Sequence, residues 1–354
     1  MNDLKQPKKL LILYILDILR RYSDEEHALT QKQIGDILAR EYSMKVNRKA
    51  VKANLLDLLD FGYEIEYSEV PRKSKTGEIE SLCTDFRLVH DFSPEELMLL
   101  SDAVLFSLSI PSSHRKELLN KIKKLGSEYY PGKAGAVRAV SGDAENRQFF
   151  YTLGVIREAL SKRLKVRFHY ARYGADKRLH KKERRGAPVE YLVDPQNTCI
   201  KNGRYYLIGN AEGIEDIFHF RIERICDIAL TSLPAEPAEK SGAFSDPSNV
   251  LEYTSEHLYM FGGESVSAIL RVDEDIISDV VDWFGKDVTF FNKTEKGADA
   301  RVVANATSIK YWALQYCRGA EVLEPLFLRK AVSDALFDGL SKYTPEVRTS
   351  ASGA

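Results

Sequence analysis

The spacing of apolar residues changes abruptly near Gly62, and this change constrains the fold of the first ninety residues more than any other feature. Before it, apolar side chains recur every three or four positions, as on one face of a helix, within residues 10–19, 34–38 and 51–59. After it, residues 63–70 and 79–89 have the composition of strands and are joined by a turn-forming segment. The pattern therefore predicts three helices followed by a hairpin.

Three helices and a hairpin in this order make a winged helix-turn-helix, and we expect residues 1–90 to be such a DNA-binding domain. The third helix would begin after Asn47, a good N-cap, and would present its first turn to base edges in the major groove. The hairpin tip would meet phosphates and so fix register rather than sequence. The expected DNA-binding residues are Asn47, Arg48, Lys49 and Lys52 on the helix and Arg72, Lys73 and Lys75 on the hairpin. The alternative is a helical bundle with a solvated basic face.

Taken alone, the net charge of −1 argues against a nucleic-acid partner, but the charge is unevenly spread. Residues 1–147 are neutral, residues 148–230 carry a net +6, and residues 231–354 carry a net −7. Within the basic part, residues 161–186 hold 11 Lys and Arg against 2 acids. The densest run, residues 177–185, either contacts a nucleic-acid backbone or is a solvated loop. The opposite signs also suggest that the acidic part docks on the basic part.

Residues 91–147 are expected to form a helical connector. Ser93, Pro94, Glu95 and Glu96 have the order typical of a helix start, and Pro111 opens a second helix. Both helices carry apolar stripes, which either form a dimer contact or pack on their own chain. Residues 132–142 are rich in Gly and Ala and are interpreted as a linker.

Short strands, separated by turn signals such as Asp194-Pro195 and Asn202-Gly203, follow a helix at residues 149–160. The strand-like runs are residues 166–170, 189–193, 198–200, 205–208, 217–220 and 225–230, with a long basic loop at 172–186. So many short strands over about eighty residues predict a small β-barrel.

Three motifs in this region resemble the WYL domain family. They are Asp194-Pro195, the run 202–209 (Asn-Gly-Arg-Tyr-Tyr-Leu-Ile-Gly) and the run 218–225 (Phe-His-Phe-Arg-Ile-Glu-Arg-Ile), with Tyr205 in place of the tryptophan that names the family. The resemblance implies an α+β multidomain chain: a winged helix-turn-helix at 1–90, a connector or dimerisation segment at 91–147, and an SH3-like barrel (WYL) at 148–232. A linker at 233–263 and a ferredoxin-like extension (WCX) at 264–345 would follow, the extension with the order strand, helix, strand, strand, helix, strand. Residues 341–354 are expected to be a frayed tail.

Arginines beside aromatic rings in the predicted barrel suit an anionic ligand with a π-system. The residues expected to bind it are His169, Tyr170, Arg204, Tyr206, Arg221 and Arg224. For His169, Tyr206, Arg221 and Arg224, a role in sensing a nucleic acid or nucleotide is what the resemblance implies. The alternative is that Tyr205 and Tyr206 are barrel core and that Arg221 pairs with a core acid such as Glu190. For Tyr205 and Leu207 we expect the core, because alternating aromatic and apolar residues are typical of it.

These features favour a bacterial, ligand-responsive transcription regulator that binds double-stranded operator DNA as a homodimer. The alternative is a nucleic-acid-binding accessory protein that modulates another enzyme through its WYL domain. An enzyme is not expected, because the chain has no P-loop, G-x-S-x-G, H-E-x-x-H or G-x-G-x-x-G motif. Four scattered cysteines and no C-x-x-C pair predict neither a metal site nor a cofactor. The apolar run 10–19 is too short to span a bilayer, so we expect a cytoplasmic protein without a membrane partner.

Overall fold

The computed structural model describes residues 7–73, 79–137, 148–214, 217–236 and 247–344. The chain divides into two compact units, residues 1–142 and residues 143–354. Its folded parts mix helices with several separate β-sheets, as expected for an α+β chain. None of the helices in the described ranges combines the length and apolar character that crossing a bilayer requires.

The first unit begins with the three predicted helices, α1 (Leu11–Tyr22), α2 (Gln31–Tyr42) and α3 (Arg48–Phe61). Thr30 and Gln33 form a reciprocal capping box at the start of α2, and Gly62 ends α3 in the left-handed conformation that glycine adopts without strain. The hairpin strands β1 (Ile65–Lys73) and β2 (Ile79–Leu88) then pair antiparallel. The order of helices and strands predicted for residues 1–90 is thus confirmed.

One contact in this unit was not expected. Leu29, in the loop before α2, exchanges two backbone hydrogen bonds with Phe86 of β2, at 2.8 and 2.9 Å. Both side chains are buried in a core shared by the three helices and the base of the hairpin. The bridge fixes the hairpin to the helices, so the direction of the wing is set by the core rather than by its turn.

The connector helices are α4 (Pro94–Leu105) and α5 (Ser112–Lys123), and Ser93 caps α4 with Glu96 as predicted. Leu97 and Leu119 are buried within the unit, whereas Leu99 and Phe106 are 71% and 70% exposed. Both alternatives for the apolar stripes therefore keep some support, because one face packs on its own chain and another is open. The predicted linker at 132–142 falls partly on residues 138–147, which lie outside the described ranges.

The second unit opens with α6 (Phe149–Lys162), followed by a sheet built on β3 (Leu164–Tyr173), β7 (Glu190–Lys201), β8 (Arg204–Ala211), β9 (Ile217–Arg221) and β10 (Ile225–Pro234). The strand order is β10-β3-β7-β8-β9, and every pair is antiparallel. The basic segment 172–186, expected to be a loop, instead holds two short strands, β4 (Leu179–Lys181) and β5 (Glu183–Arg184), and a third, β6 (Ala187–Pro188), follows directly. Strand β4 pairs with β3, and β5 pairs with β6.

The turn expected at Asp194-Pro195 is wrong, because β7 runs straight through it. A bulge between Pro195 and Asn197 accommodates the proline, which has no N–H to give to the ladder. Gly209 lies opposite Pro195, and a Cβ there would come 2.4 Å from the carbonyl oxygen of Asp194. Only glycine permits this close approach of the two strands.

The last part of the chain contains α7 (Pro247–Glu256), β11 (Ser265–Asp273), α8 (Ile277–Phe284), β12 (Thr289–Thr294), β13 (Gly297–Asn305), α9 (Ala306–Gln315), β14 (Ala320–Glu324) and α10 (Leu326–Tyr343). Its antiparallel sheet has the order β12-β13-β11-β14 around a core that includes the fully buried Trp312. The strand, helix, strand, strand, helix, strand order is as predicted. Helix α7 lies in the predicted linker, and α10 covers the start of a segment expected to be a frayed tail at 341–354.

Candidate functional site

The first turn of α3 holds the predicted DNA-binding residues of the helix. Asn47 is the N-cap, and its Oδ1 accepts a hydrogen bond of 2.8 Å from the backbone N–H of Ala50. Arg48 and Lys49 are exposed and Lys52 is half-buried. Within the described ranges, none of these three cations has an ion-pair partner, and the first turn holds no acid. The helix N-terminus therefore offers cations that a phosphate or a base edge could bind.

The predicted contacts on the wing are only partly placed by the structure. Arg72 is exposed on β1, opposite Glu80 of β2. Lys73 is the last residue of β1, but its side chain is not among those described, and Lys75 lies outside the described residues. Lower on the hairpin, Glu66 is held by Arg87 at 2.5 Å, and Glu69 accepts a hydrogen bond from Ser81.

The second unit brings two of the predicted arginines, Arg204 and Arg221, to one carboxylate, and Arg224 lies close to Arg204. Arg204 begins β8, Arg221 ends β9, and Arg224 closes the short 3-10 turn that follows β9. Arg221 donates to Oε1 of Glu223 from Nε at 2.8 Å and from Nη2 at 2.6 Å, and Arg204 donates to the same oxygen at 3.3 Å. We call Arg204, Arg221, Arg224 and Glu223 the arginine cluster.

The arginine cluster carries more positive than negative charge. The Glu223 side chain is 1% exposed, while those of Arg204 and Arg221 are 22% and 20% exposed. Burial lowers the pKa of Arg204, and the neighbouring Arg221 lowers it further. Three guanidiniums, which keep their charge in proteins, and one carboxylate give these four side chains a formal charge of +2. The buried carboxylate orients Arg204 and Arg221, and the net positive charge of the cluster suits an anion.

The expected partner of Arg221 was a different acid. Glu190 instead pairs with Arg167 at 3.1 Å on the surface, because these residues belong to the neighbouring strands β7 and β3. Arg221 does pair with an acid, as the alternative predicted, but the acid is Glu223 and not Glu190. Sequence reasoning missed Glu223, although its place between the two arginines of the Phe-Arg-x-x-Arg-Ile motif was a usable signal.

Aromatic side chains border the arginine cluster. The hydroxyl of Tyr170 accepts a 3.0 Å hydrogen bond from the backbone N–H of Arg221, and burial raises the pKa of this tyrosine. Tyr206 lies directly across the strand pair from Arg221 and is half-buried. Tyr173, which was not predicted, has the guanidinium carbon of Arg224 5.8 Å from its ring centre and is 37% exposed. The predicted residues Tyr170, Arg204, Tyr206, Arg221 and Arg224 therefore do lie together.

His169 lies apart from them. Its Nδ1–H donates to the carbonyl oxygen of Val189 at 3.0 Å, and strand alternation places it on the opposite face of β3 from Tyr170. The Nε of Arg224 is buried and has no hydrogen-bond partner among the described residues. A ligand oxygen at the arginine cluster would supply one.

Tyr205 and Leu207 were expected in the barrel core, and Leu207 is fully buried while Tyr205 is half-buried.

Helix α7 and the loop after it pack against the strands that carry the arginines. His219 of β9 donates from Nδ1 to the carbonyl oxygen of Met260 at 3.0 Å, and its Nε2 accepts from the hydroxyl of Tyr253 at 2.7 Å. Burial lowers the pKa of His219 to about 4, and the nearby His257 contributes. Asn202 also donates to the carbonyl oxygen of Leu258. These contacts are neutral, and no ion pair joins residues 148–236 to residues 247–344 within the described ranges. Docking by opposite charge stays a prediction.

No group of three or more His, Cys, Asp or Glu side chains in the described ranges could hold a metal ion.

A comparison with protein families matches residues 151–230 to the WYL domain. No curated protein matches the chain. Among solved structures, proteasome accessory factor B/C (PafBC) of Arthrobacter aurescens is similar at 16% identity and a TM-score of 0.30. That match covers 93% of this chain, which spans only 48% of the PafBC chain. A CRISPR Cas-related protein matches at 12% identity and a TM-score of 0.37, over 98% of this chain and 89% of its own.

Proposed function

We propose that this chain, whose residues 151–230 match the WYL domain, is a ligand-responsive transcription regulator that binds DNA. The proposal is a binding function without catalysis. The observation that carries it is the first turn of α3, where exposed cations follow a well-formed N-cap in a unit of three helices and a hairpin. In a winged helix-turn-helix this turn is the part that reaches base edges.

On DNA, α3 would lie in the major groove with Arg48 and Lys49 at base edges or phosphates, and the hairpin would contact the backbone through Arg72. A homodimer would place two such helices on half-sites whose spacing reflects the dimer axis. The open apolar face of α4, which includes Leu99 and Phe106, supports a dimer contact at the connector.

In the second unit, the arginine cluster is the proposed ligand site. Its +2 charge suits phosphate, and the nearby Tyr173 and Tyr206 offer ring faces to a nucleobase. We assign the sheet β10-β3-β7-β8-β9 to an SH3-like barrel and residues 264–345 to a ferredoxin-like WCX extension, with the observed strand orders in support.

The ligand would act by shifting the equilibrium between a form of the protein that binds DNA and a form that does not. A nucleic acid or nucleotide at the arginine cluster changes DNA binding only if it binds more tightly to one arrangement of the two units than to another. The required coupling between the sites is typically about 1–3 kcal/mol.

The direct test is nuclease footprinting of the purified protein on DNA upstream of its own gene, with and without short single-stranded oligonucleotides. We expect a protected region with two half-sites, whose extent or affinity changes when the oligonucleotide is added. The Arg221→Ala variant should keep the protection and lose its response to the oligonucleotide. Absence of protection under both conditions would contradict the regulator hypothesis. If oligonucleotides bind but no duplex is protected, the accessory-protein alternative is favoured.

A further inference from the structure

A basic arm, residues 172–188, extends from β3 next to the arginine cluster. It consists of the end of β3, its partner β4, and the small hairpin of β5 and β6. All of its seven Lys and Arg residues are exposed, against two acids. Lys181 pairs with Asp227, and Asp176 is bound by His180. No ion pair within the described ranges involves the remaining members Arg172, Lys177, Arg178, Lys182, Arg184 and Arg185.

Two cations of the basic arm lie at turn positions where the backbone is strained. Lys177 in the first turn and Arg185 in the second adopt left-handed conformations, with φ of 64° and 54°. Turns of this kind favour glycine or asparagine, which take positive φ at lower cost. Gly186, with φ of 80°, follows Arg185 and completes the second turn. A charged side chain at each of these turns is not explained by the fold.

Stability does not explain the charge either. Exposed cations gathered on one short arm repel one another, and this self-repulsion destabilises the folded state. The arm also has no apolar side to bury, since its residues 172–188 are exposed except for Leu179. Such a surface is stabilised when phosphates replace its counterions.

The arm is continuous with the arginine cluster through Tyr173. This residue pairs with Leu179 across the β3–β4 hairpin, beside Arg178, and its ring lies next to the guanidinium of Arg224. Aromatic rings between cations are the arrangement by which proteins hold a single strand, with bases on the rings and phosphates on the cations.

Resting on the proposed function of the arginine cluster, we propose that the basic arm binds successive phosphates of the same ligand, with Tyr173 as a stacking platform between the two. The arginine cluster holds one end of a single strand, and Arg172, Lys177, Arg178, Arg184 and Arg185 contact the phosphates that follow. The ligand of this protein is therefore an oligonucleotide rather than a mononucleotide or dinucleotide.

The test compares two fluorescent probes, a 5′-phosphorylated thymidine dinucleotide and an oligothymidylate of about twelve nucleotides, within the site size of small single-strand-binding folds. The full-length wild type should bind the longer probe at least about tenfold more tightly, with a steeper dependence on salt, because each phosphate contact adds about 0.7 to the slope. Replacing the five cations with Gln should remove this advantage while leaving dinucleotide affinity within about twofold. An oligouridylate of the same length distinguishes RNA from DNA as the source of the phosphates.

Matched controls separate the possible outcomes. Replacing Lys286, Lys293, Lys296, Arg318 and Lys330 with Gln removes the same charge from exposed positions outside the arm and should leave the length dependence intact. Arg221→Gln should weaken both probes. If the arm variant keeps the full advantage of the longer probe, or weakens only duplex binding, the inference is wrong while the proposed site stands. If the wild type binds neither probe, the proposed function of the site fails as well.

Discussion

Arg48 and Lys49 are exposed on the first turn of α3, whereas Arg204 and Arg221 are held within 3.3 Å of a carboxylate that is 1% exposed. The cations of α3 must lose side-chain freedom when they bind, and they adapt to the surface that they meet. The guanidiniums of Arg204 and Arg221 are oriented before any ligand binds, because both donate hydrogen bonds to the buried carboxylate of Glu223. The first turn of α3 therefore suits duplex DNA, which a protein scans along its length. The arginine cluster suits a small anionic group of fixed geometry.

The largest effect should come from removing the buried charge. Glu223→Gln leaves Arg204 and Arg221 without their common counter-charge, and loss of one partner of a buried ion pair typically costs about 3–5 kcal/mol. We expect urea unfolding of the second unit to show a loss of this order. Glu190→Gln, which breaks the exposed pair with Arg167, should cost less than about 1 kcal/mol. Equal effects of the two substitutions would show that the arginine cluster is not pre-organised by Glu223.

Acidification should loosen the support behind the cluster, because β9 carries both His219 and Arg221. His219 is neutral in the folded protein, with its pKa lowered to about 4 by burial, whereas an unfolded histidine has a pKa of about 6.5. Its contribution to stability is therefore complete above pH 6.5 and is lost as the pH falls from about 6.5 to 4, by at most about 3 kcal/mol.

This pH dependence is measured as the difference in unfolding free energy between the wild type and His219→Gln across that range. The slope of the variant should be flatter than that of the wild type. Lys286→Gln, at an exposed position away from His219, is the control and should keep the wild-type slope. Parallel slopes for the wild type and His219→Gln would contradict the assignment.

On α3 the expected effect is on binding and not on stability. Arg48→Ala with Lys49→Ala should lower duplex affinity at least about tenfold, or about 1.4 kcal/mol, and should reduce its salt dependence by about one per lost phosphate contact. The melting temperature should stay within about 2 °C, since neither side chain has an ion-pair partner in the described ranges. Lys116→Ala with Lys124→Ala, exposed on and just after α5, is the matched control. Equal affinities of the two double variants would remove the first turn of α3 from the interface.

The smallest effect concerns Asn47, which the sequence placed among the DNA-binding residues and the structure uses as a helix cap. Asn47→Ala should destabilise the first unit by about 1 kcal/mol, and Asn47→Ser should retain most of that stability because serine also caps. Thermal unfolding and duplex binding of both variants separate the two roles. A loss of duplex affinity in the stable Asn47→Ser variant would assign Asn47 a direct contact as well.

Features that depend on neighbouring residues were predictable from the sequence. The capping box of Thr30 and Gln33, the glycine end of α3 and the strand order of the motif around Arg204 all follow from local chemistry. The grouping of Arg204 with Arg221 also followed, because the motifs themselves carry both residues.

Features that depend on distant contacts were not predictable. The bridge between Leu29 and Phe86, the course of β7 through Pro195, and the packing of His219 on Tyr253 each join residues whose pairing no local pattern specifies. Glu223 is a different case. Its place in the sequence motif put it near Arg221, but only the structure shows that it is the common hydrogen-bond partner of Arg204 and Arg221. Helix α7 was missed because its few apolar residues follow a polar segment that favoured a linker.

The central claim is that a ligand at the arginine cluster controls DNA binding through α3. It is tested most directly by measuring duplex affinity by fluorescence anisotropy with no oligonucleotide and with a saturating concentration, for the wild type and for Arg221→Gln. We predict a change of at least about fivefold in the wild type, and by linkage an equal change in oligonucleotide affinity when duplex is present. The variant should bind duplex with the ligand-free affinity under both conditions. A wild-type duplex affinity that does not respond to a bound oligonucleotide would contradict the account.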